Sequence, residues 1–202
     1  MSREEVLKEI KRKSIHVIPG FFAIPFIEWL GKPYALAVSI LFFTLYALNE
    51  YALRTGKNWK VPIAGHTYEI MARKEELEKK TFIGTVYFWG LTILIIAFLP
   101  PQQAAAAIMI SSFGDAAAAI IGKAVGGPRV PYNRRKTVSG SIAMFVVSLI
   151  SCLLAGVSIY AGIIVSLLST VAESLTTVSV NDEISVPVTA GASLYIVSWF
   201  LH

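Results

Sequence analysis

Seven apolar stretches occupy most of this chain and leave it few folds to choose from. They fall at 14–30, 34–53, 82–99, 102–121, 138–155, 157–172 and 184–201. A helix needs about 20 apolar residues to cross the hydrocarbon core of a bilayer, and several of these runs are shorter. The short ones can be shielded by neighbours or lie against a polar cavity. Of the 202 residues, 55% are hydrophobic and 15% charged, whereas ordinary soluble domains carry about 25% charged residues. The reading is an all-α, polytopic membrane helix bundle of about seven transmembrane spans, forming one integral membrane domain over 1–202. The first stretch contains Pro19 and Pro25 and is kept as a span. Its leader mixes acids with bases, and no small-residue cleavage site comes after it. Cys152 is the only cysteine, so an intramolecular disulfide is excluded.

Charge sets the orientation. The N-terminus, residues 54–80 and residues 123–136 hold seventeen of the eighteen lysines and arginines, and with seven spans all three lie on one side. Only Lys32 falls on the other. Cytoplasmic loops carry the excess of Lys and Arg, which places the N-terminus and the basic loops in the cytoplasm. The net charge of +5 is explained by this topology rather than by a nucleic-acid groove. Residues 1–13 read as an interfacial amphipathic leader with Val6, Leu7 and Ile10 on one side. Glu4/Lys8 and Glu9/Lys13 form favourable i,i+4 pairs. Within 54–80, residues 69–80 are charged and compatible with helix.

Asp115 stands inside the fourth apolar stretch, and a carboxylate at membrane depth costs about 2.5 to 3.5 kcal/mol. At helical spacing it shares a face with Ser111, Ser112, Ala118 or Ala119, and Gly122. It is a candidate metal ligand or substrate contact; the other reading is a hydrogen bond between helices. A glycine-rich basic loop comes next. Gly122, Gly126 and Gly127 free the backbone to present N–H groups to phosphate. Lys123, Arg129, Arg134, Arg135 and Lys136 supply charge, and Thr137, Ser139 and Ser141 supply hydroxyls at the start of the next helix. The same cluster could set topology or touch anionic lipid without binding a nucleotide. Gly122-Lys123-Ala124 lacks the residues of a Walker motif.

The segment from Glu173 to Glu183 includes Asn181 and Asp182 and has no basic residue. Its hard oxygen donors suit Mg²⁺ bridging substrate phosphates; a solvated acidic turn with helix caps is the plainer reading. His16, near the inner end of the first span, is a candidate proton acceptor or a satisfied polar contact. Glu50 and Arg54 have the spacing of a structural ion pair. Metal and cations neutralising a transferred phosphoryl group is the recurring recipe for phosphoryl transfer, and a lipid acceptor accounts for a site built into a membrane bundle.

Taken in order, these residues resemble the polyprenol kinase family, which includes dolichol, phytol and farnesol kinases and CTP-dependent diacylglycerol kinase. The likeness rests on Arg12-Lys13-x-x-His16-x-x-x-Gly20 and on Gly114-Asp115 with Gly122 and Gly126. It continues through Arg135-Lys136-Thr137-x-x-Gly140-Ser141 to Glu173, Asn181-Asp182 and Val186-Pro187. It implies a multi-pass kinase that moves the γ-phosphoryl of CTP, with Mg²⁺, to the hydroxyl of a dolichol- or polyprenol-like alcohol at the cytoplasmic face. Expected partners are CTP, a membrane lipid alcohol and the bilayer, with no nucleic acid. Under this resemblance Asp115, Lys136, His16 and Asp182 are the catalytic candidates. Asp115, Glu173 and Asp182 are the metal candidates. Gly122, Lys123, Gly126, Gly127, Arg135, Lys136, Thr137, Ser139 and Gly140 are the nucleotide contacts. One departure is the order Asn181-Asp182-Glu183, where relatives often show acid-acid-asparagine. A CTP:lipid-phosphate cytidylyltransferase and a small transporter using Asp115 as an ion site are the rival readings; the chain has no inverted repeat to support the latter.

Overall fold

The computed structural model describes the backbone of residues 3–177 and 179–200 and the side chains of 6–177 and 183–199. Every apolar stretch is helical. Helix α1 (Arg3–His16) leads into α2 (Ile18–Ile24) and a π-helical turn at Pro25–Trp29, with a break at Val17 and prolines opening both later pieces. Helices α3 (Lys32–Thr55), α4 (Ala64–Met71), α5 (Lys74–Glu78) and α6 (Ile83–Phe98) come after them. Next are α7 (Pro101–Met109), a π-helical segment Ile110–Gly114 and α8 (Asp115–Ala124), which continue one another. Strands β1 (Arg129–Val130) and β2 (Asn133–Thr137) precede α9 (Val138–Leu154), α10 (Ile159–Leu175) and α11 (Ser179–Phe200). Among the described residues, Lys32–Thr55 and Pro101–Ala124 are long and apolar enough to cross a membrane. Ile83–Phe98, Val138–Leu154 and Ile159–Leu175 are shorter apolar helices.

The α7–α8 rod is the axis of the bundle. Ala104, Ala105, Ala106 and Ala107 are completely buried, because methyl side chains let α2, α6, α9 and α11 pack closely around them. Pairs α9/α10, α10/α11 and α3/α6 complete the packing. The core mixes large apolar side chains such as Ile96, Ile110 and Met144 with hydroxylated ones, and the outer surface is rich in large apolar side chains. Ser112, Ser148, Ser166 and Ser169 are fully buried, whereas Trp29, Phe98 and Tyr160 are more than 70% exposed. Large apolar side chains on the outside, with alanines and serines between the helices, are the packing expected where lipid replaces water as the solvent.

The helical reading needs two corrections. Residues 129–137, read from sequence as a loop, form an antiparallel ribbon pairing Arg129 with Thr137 and Val130 with Asn133. The leader is a helix as expected, but it does not merely lie beside the bundle. Leu7 and Ile10 face outward while Glu9, Lys13 and His16 are buried, and α1 packs on α8 and α4. Its polar stripe at positions i, i+4 and i+7 turns inward because the bundle presents charges there to be matched.

Elsewhere the expected pair is structural. Buried Glu50 accepts from Arg54 Nε at 2.6 Å, from Thr81 Oγ1 at 2.6 Å and from the backbone N–H of Phe82 at 2.5 Å. One carboxylate thereby ties the end of α3 to the start of α6.

Candidate active site around Asp115

Asp115 opens α8 immediately after the π-helical segment. A π segment adds a residue to the turn and rotates the helix beyond it, a distortion frequent at functional sites. Uniform helical spacing therefore does not describe the face around Asp115, although Ser111, Ser112, Asp115 and Ala118 are all buried. Close packing supports the distortion: a Cβ on Gly114 would lie 2.8 Å from Met144 Sδ and from Ser148 Oγ.

Two α1 side chains converge on this carboxylate. Lys13 Nζ donates to Asp115 Oδ2, and His16 Nε2 stands 3.2 Å from the same oxygen. His16 Nε2 is also 3.3 Å from the carbonyl of Ser111, and its Nδ1 is 3.8 Å from Glu183 Oε1 on α11. The ligand atoms of His16, Asp115 and Glu183 all lie within 4.8 Å of one another. A turn earlier, Glu9 accepts from Arg12 and, at 2.6 Å, from Lys123 Nζ. Burial pushes the Glu9 carboxyl up, but Arg12 first and Lys123 second overcome it and hold it at about 2.

The basic ribbon closes the other side. Lys136 Nζ donates to Glu173 Oε1 at 2.5 Å. Arg135 Nη1 donates to the carbonyl of Thr177 at 2.6 Å, and buried Asn133 donates to the carbonyls of Ser174 and Thr176. These bonds fasten the ribbon to the end of α10. Thr137 caps α9, its Oγ1 accepting from the N–H of Gly140 at 3.1 Å.

Two cavities meet at this cluster. A polar cavity of about 760 Å³ is walled by Asp115, Gly122, Lys123, Arg129, Arg135 and Lys136, with Thr137, Gly140 and Glu173 beside them. An apolar cavity of about 410 Å³ runs between α2, α3 and α6, with Phe22, Phe42 and Trp89 in its wall and His16 and Glu183 at its polar end. Arg12, Met71 and Arg73 line both.

Most of the residues singled out from the sequence thus meet in one place. Gly126, Gly127 and Ser139 fall outside the polar wall. The two glycines adopt left-handed conformations (φ of +68° and +100°) with nothing near a would-be Cβ, so they shape the turn. Ser139 Oγ donates to the carbonyl of Gly126. Gly122 and Gly140 line the cavity and also make the α8–α9 crossing: a Cβ on Gly140 would sit 2.8 Å from the carbonyl of Ala118. Glu173 faces Lys136, while the acid that joins Asp115 and His16 is Glu183. The side chain of Asp182 lies outside the described residues. Sequence reasoning counted Glu183 among the oxygen donors of its segment and Lys13 in the family likeness, but gave neither a role of its own. The available signal was the stripe Glu9, Arg12, Lys13, His16, charged on one helical face where an interfacial helix would carry its charges outward.

A buried carboxylate between a cationic cavity and an apolar one, in a bundle that exposes its large apolar side chains, defines a site suited to joining a charged soluble ligand to a lipid. A known relative agrees. The chain is 24% identical over 148 residues to a protein described as CTP-dependent diacylglycerol kinase 1 from Eremothecium gossypii. The alignment covers 71% of this chain and 45% of that relative, so the chain spans less than half the length of the relative it matches. The likeness to lipid kinases read from the motifs is therefore met again in the aligned sequence. No protein-family model matches the chain, and no solved structure matches it.

Proposed function

We propose that this chain is a membrane-embedded CTP-dependent lipid kinase that phosphorylates the hydroxyl of an isoprenoid alcohol, dolichol- or polyprenol-like, at the cytoplasmic face. Seven spans with the N-terminus inside are part of the proposal, supported by the seven apolar helical regions and by the one-sided distribution of basic residues. The observation that carries it is the contact of His16 with Asp115, which joins the polar cavity to the apolar one.

In this reading the polyphosphate lies in the polar cavity, where Lys123, Arg135 and Lys136 neutralise it. Lys136 is oriented by Glu173, and the ribbon is held to α10 by Asn133. The alcohol tail fills the apolar cavity and brings its hydroxyl to the His16 end. The hydroxyl oxygen forms a bond to the γ-phosphorus, the bond from that phosphorus to the β–γ bridging oxygen breaks, and CDP leaves. The hydroxyl proton passes to water in the polar cavity, and the ring of His16, held by Asp115 and the Ser111 carbonyl, marks where the hydroxyl enters. Mg²⁺ fits the donors present, since it is commonly held by one or two carboxylates together with substrate phosphates. Asp115 would hold it, with Glu173 in the same cavity wall. When bound, the ion neutralises charge on the transferring phosphoryl group.

The test is incubation of the purified protein with CTP labelled at the γ-phosphorus and a panel of polyprenol, dolichol, phytol, geranylgeraniol and diacylglycerol. Labelled lipid phosphate and CDP are expected, with an isoprenoid alcohol preferred. Pyrophosphate release would instead mark a cytidylyltransferase, and no nucleotide-dependent product at all would remove the kinase reading.

A further inference from the structure

We infer that His16, Asp115 and Glu183 form a three-residue metal site with one imidazole ligand, and that it takes Mn²⁺ in preference to Mg²⁺. The inference rests on the kinase reading for its purpose and revises its metal centre: His16 and Glu183, rather than Glu173, stand beside Asp115.

Three helices contribute one ligand each: α1 supplies His16, α8 supplies Asp115 and α11 supplies Glu183. Ligand atoms around a six-coordinate ion of this size stand roughly 3 to 4.5 Å apart, given metal–ligand bonds of about 2.1 to 2.3 Å. The three donors already lie within 4.8 Å of one another, so the side chains need move little. Asp115 is 6% exposed and His16 is 8% exposed. Two carboxylates meet there, with the Lys13 ammonium on Asp115 and the Arg12 guanidinium shared between Glu9 and this pair, so an arriving cation competes with resident ones.

The chemistry of the donors selects the ion. Mg²⁺ prefers oxygen ligands alone, whereas an imidazole among carboxylates favours a first-row transition metal. Mn²⁺ accepts both donor types and keeps open positions for phosphate oxygens and water. Its arrival at Asp115 competes with Lys13, whose ammonium holds the same oxygen. Binding of the metal releases Lys13 toward the polar cavity that Asp115 lines. Glu183 is then a metal ligand reaching across from α11, and Lys13 is a resident cation that the metal displaces.

The experiment is a titration of the detergent-purified full chain with Mn²⁺ in the absence of nucleotide, read by electron paramagnetic resonance. One bound Mn²⁺ per chain is expected, with ¹⁴N coupling of an imidazole that disappears in His16→Gln. Glu183→Gln should weaken Mn²⁺ binding by about tenfold or more, and Lys13→Met should tighten it several-fold by removing the competing cation. Failure to bind Mn²⁺, or bound Mn²⁺ without nitrogen coupling in the unaltered protein, overturns the proposal without relying on any variant. Unchanged affinity in a folded Glu183→Gln protein also overturns it. The labelled-CTP assay stands apart: lipid phosphate formed by a protein whose Mn²⁺ shows no nitrogen coupling removes this site and leaves the kinase reading intact.

Discussion

Asp115 and Lys13 are each buried and each other's partner, so neither can be changed alone without cost. Removing one member of a buried ion pair leaves an uncompensated charge and costs about 3 to 5 kcal/mol. Asp115→Asn is expected to lower the melting temperature as well as abolish phosphoryl transfer. Adding Lys13→Met should recover the melting temperature and not the transfer. A doubly substituted protein that turns over at the original rate would show that the aspartate serves packing alone. Glu9 makes the complementary prediction through pH. Its carboxyl sits at about 2 in the folded chain, below an unfolded value near 4.5, so its contribution is complete above about pH 4.5 and is lost as pH falls through 2. That contribution is at most about 3 kcal/mol. Thermal melts of wild type and Glu9→Gln should therefore differ at pH 7 and converge near pH 2.

At the scale of elements, α1 and the β1–β2 ribbon carry the charges while α8 and α9 carry the geometry. The α8–α9 crossing depends on Gly140, where an added methyl group meets the Ala118 carbonyl at 2.8 Å, and helix backbone cannot swing aside as a side chain can. Gly140→Ala is expected to destabilise more than Thr137→Val, which loses the α9 cap, at about 1 kcal/mol, and the bond from Ser139 Oγ. Denaturation in detergent would rank the two, and the reverse order would show that the helices can part there. The helices themselves were legible, since hydrophobic runs and the prolines at 25, 33 and 101 are local signals. The ribbon was not: the basic run Arg134-Arg135-Lys136 has no apolar alternation. What makes it a strand is Asn133, Arg135 and Lys136 bonding to the end of α10, some forty residues away. The π-helical segment was equally hidden, since no local signal marks it, and the close approach of Gly114 to Met144 and Ser148 on α9 is a contact between distant parts of the chain.

For the whole molecule, the proposed topology makes a prediction that any one-sided label can check. Cysteines introduced by Lys57→Cys and Lys32→Cys, with Cys152 buried, should be modified from opposite sides of sealed vesicles. Modification of both from one side would break the seven-span arrangement. The apolar runs, the asymmetry of charge and the isolated aspartate were readable from the sequence because each is a property of neighbouring residues. Which charges meet was settled only by the tertiary structure. His16, Asp115 and Glu183 are separated by long stretches of chain and share no local pattern, and the inward turn of the α1 polar stripe answers charges on α8 and α11. Composition sets the solvent a helix can tolerate, but only packing against other helices decides which of its faces is turned inward.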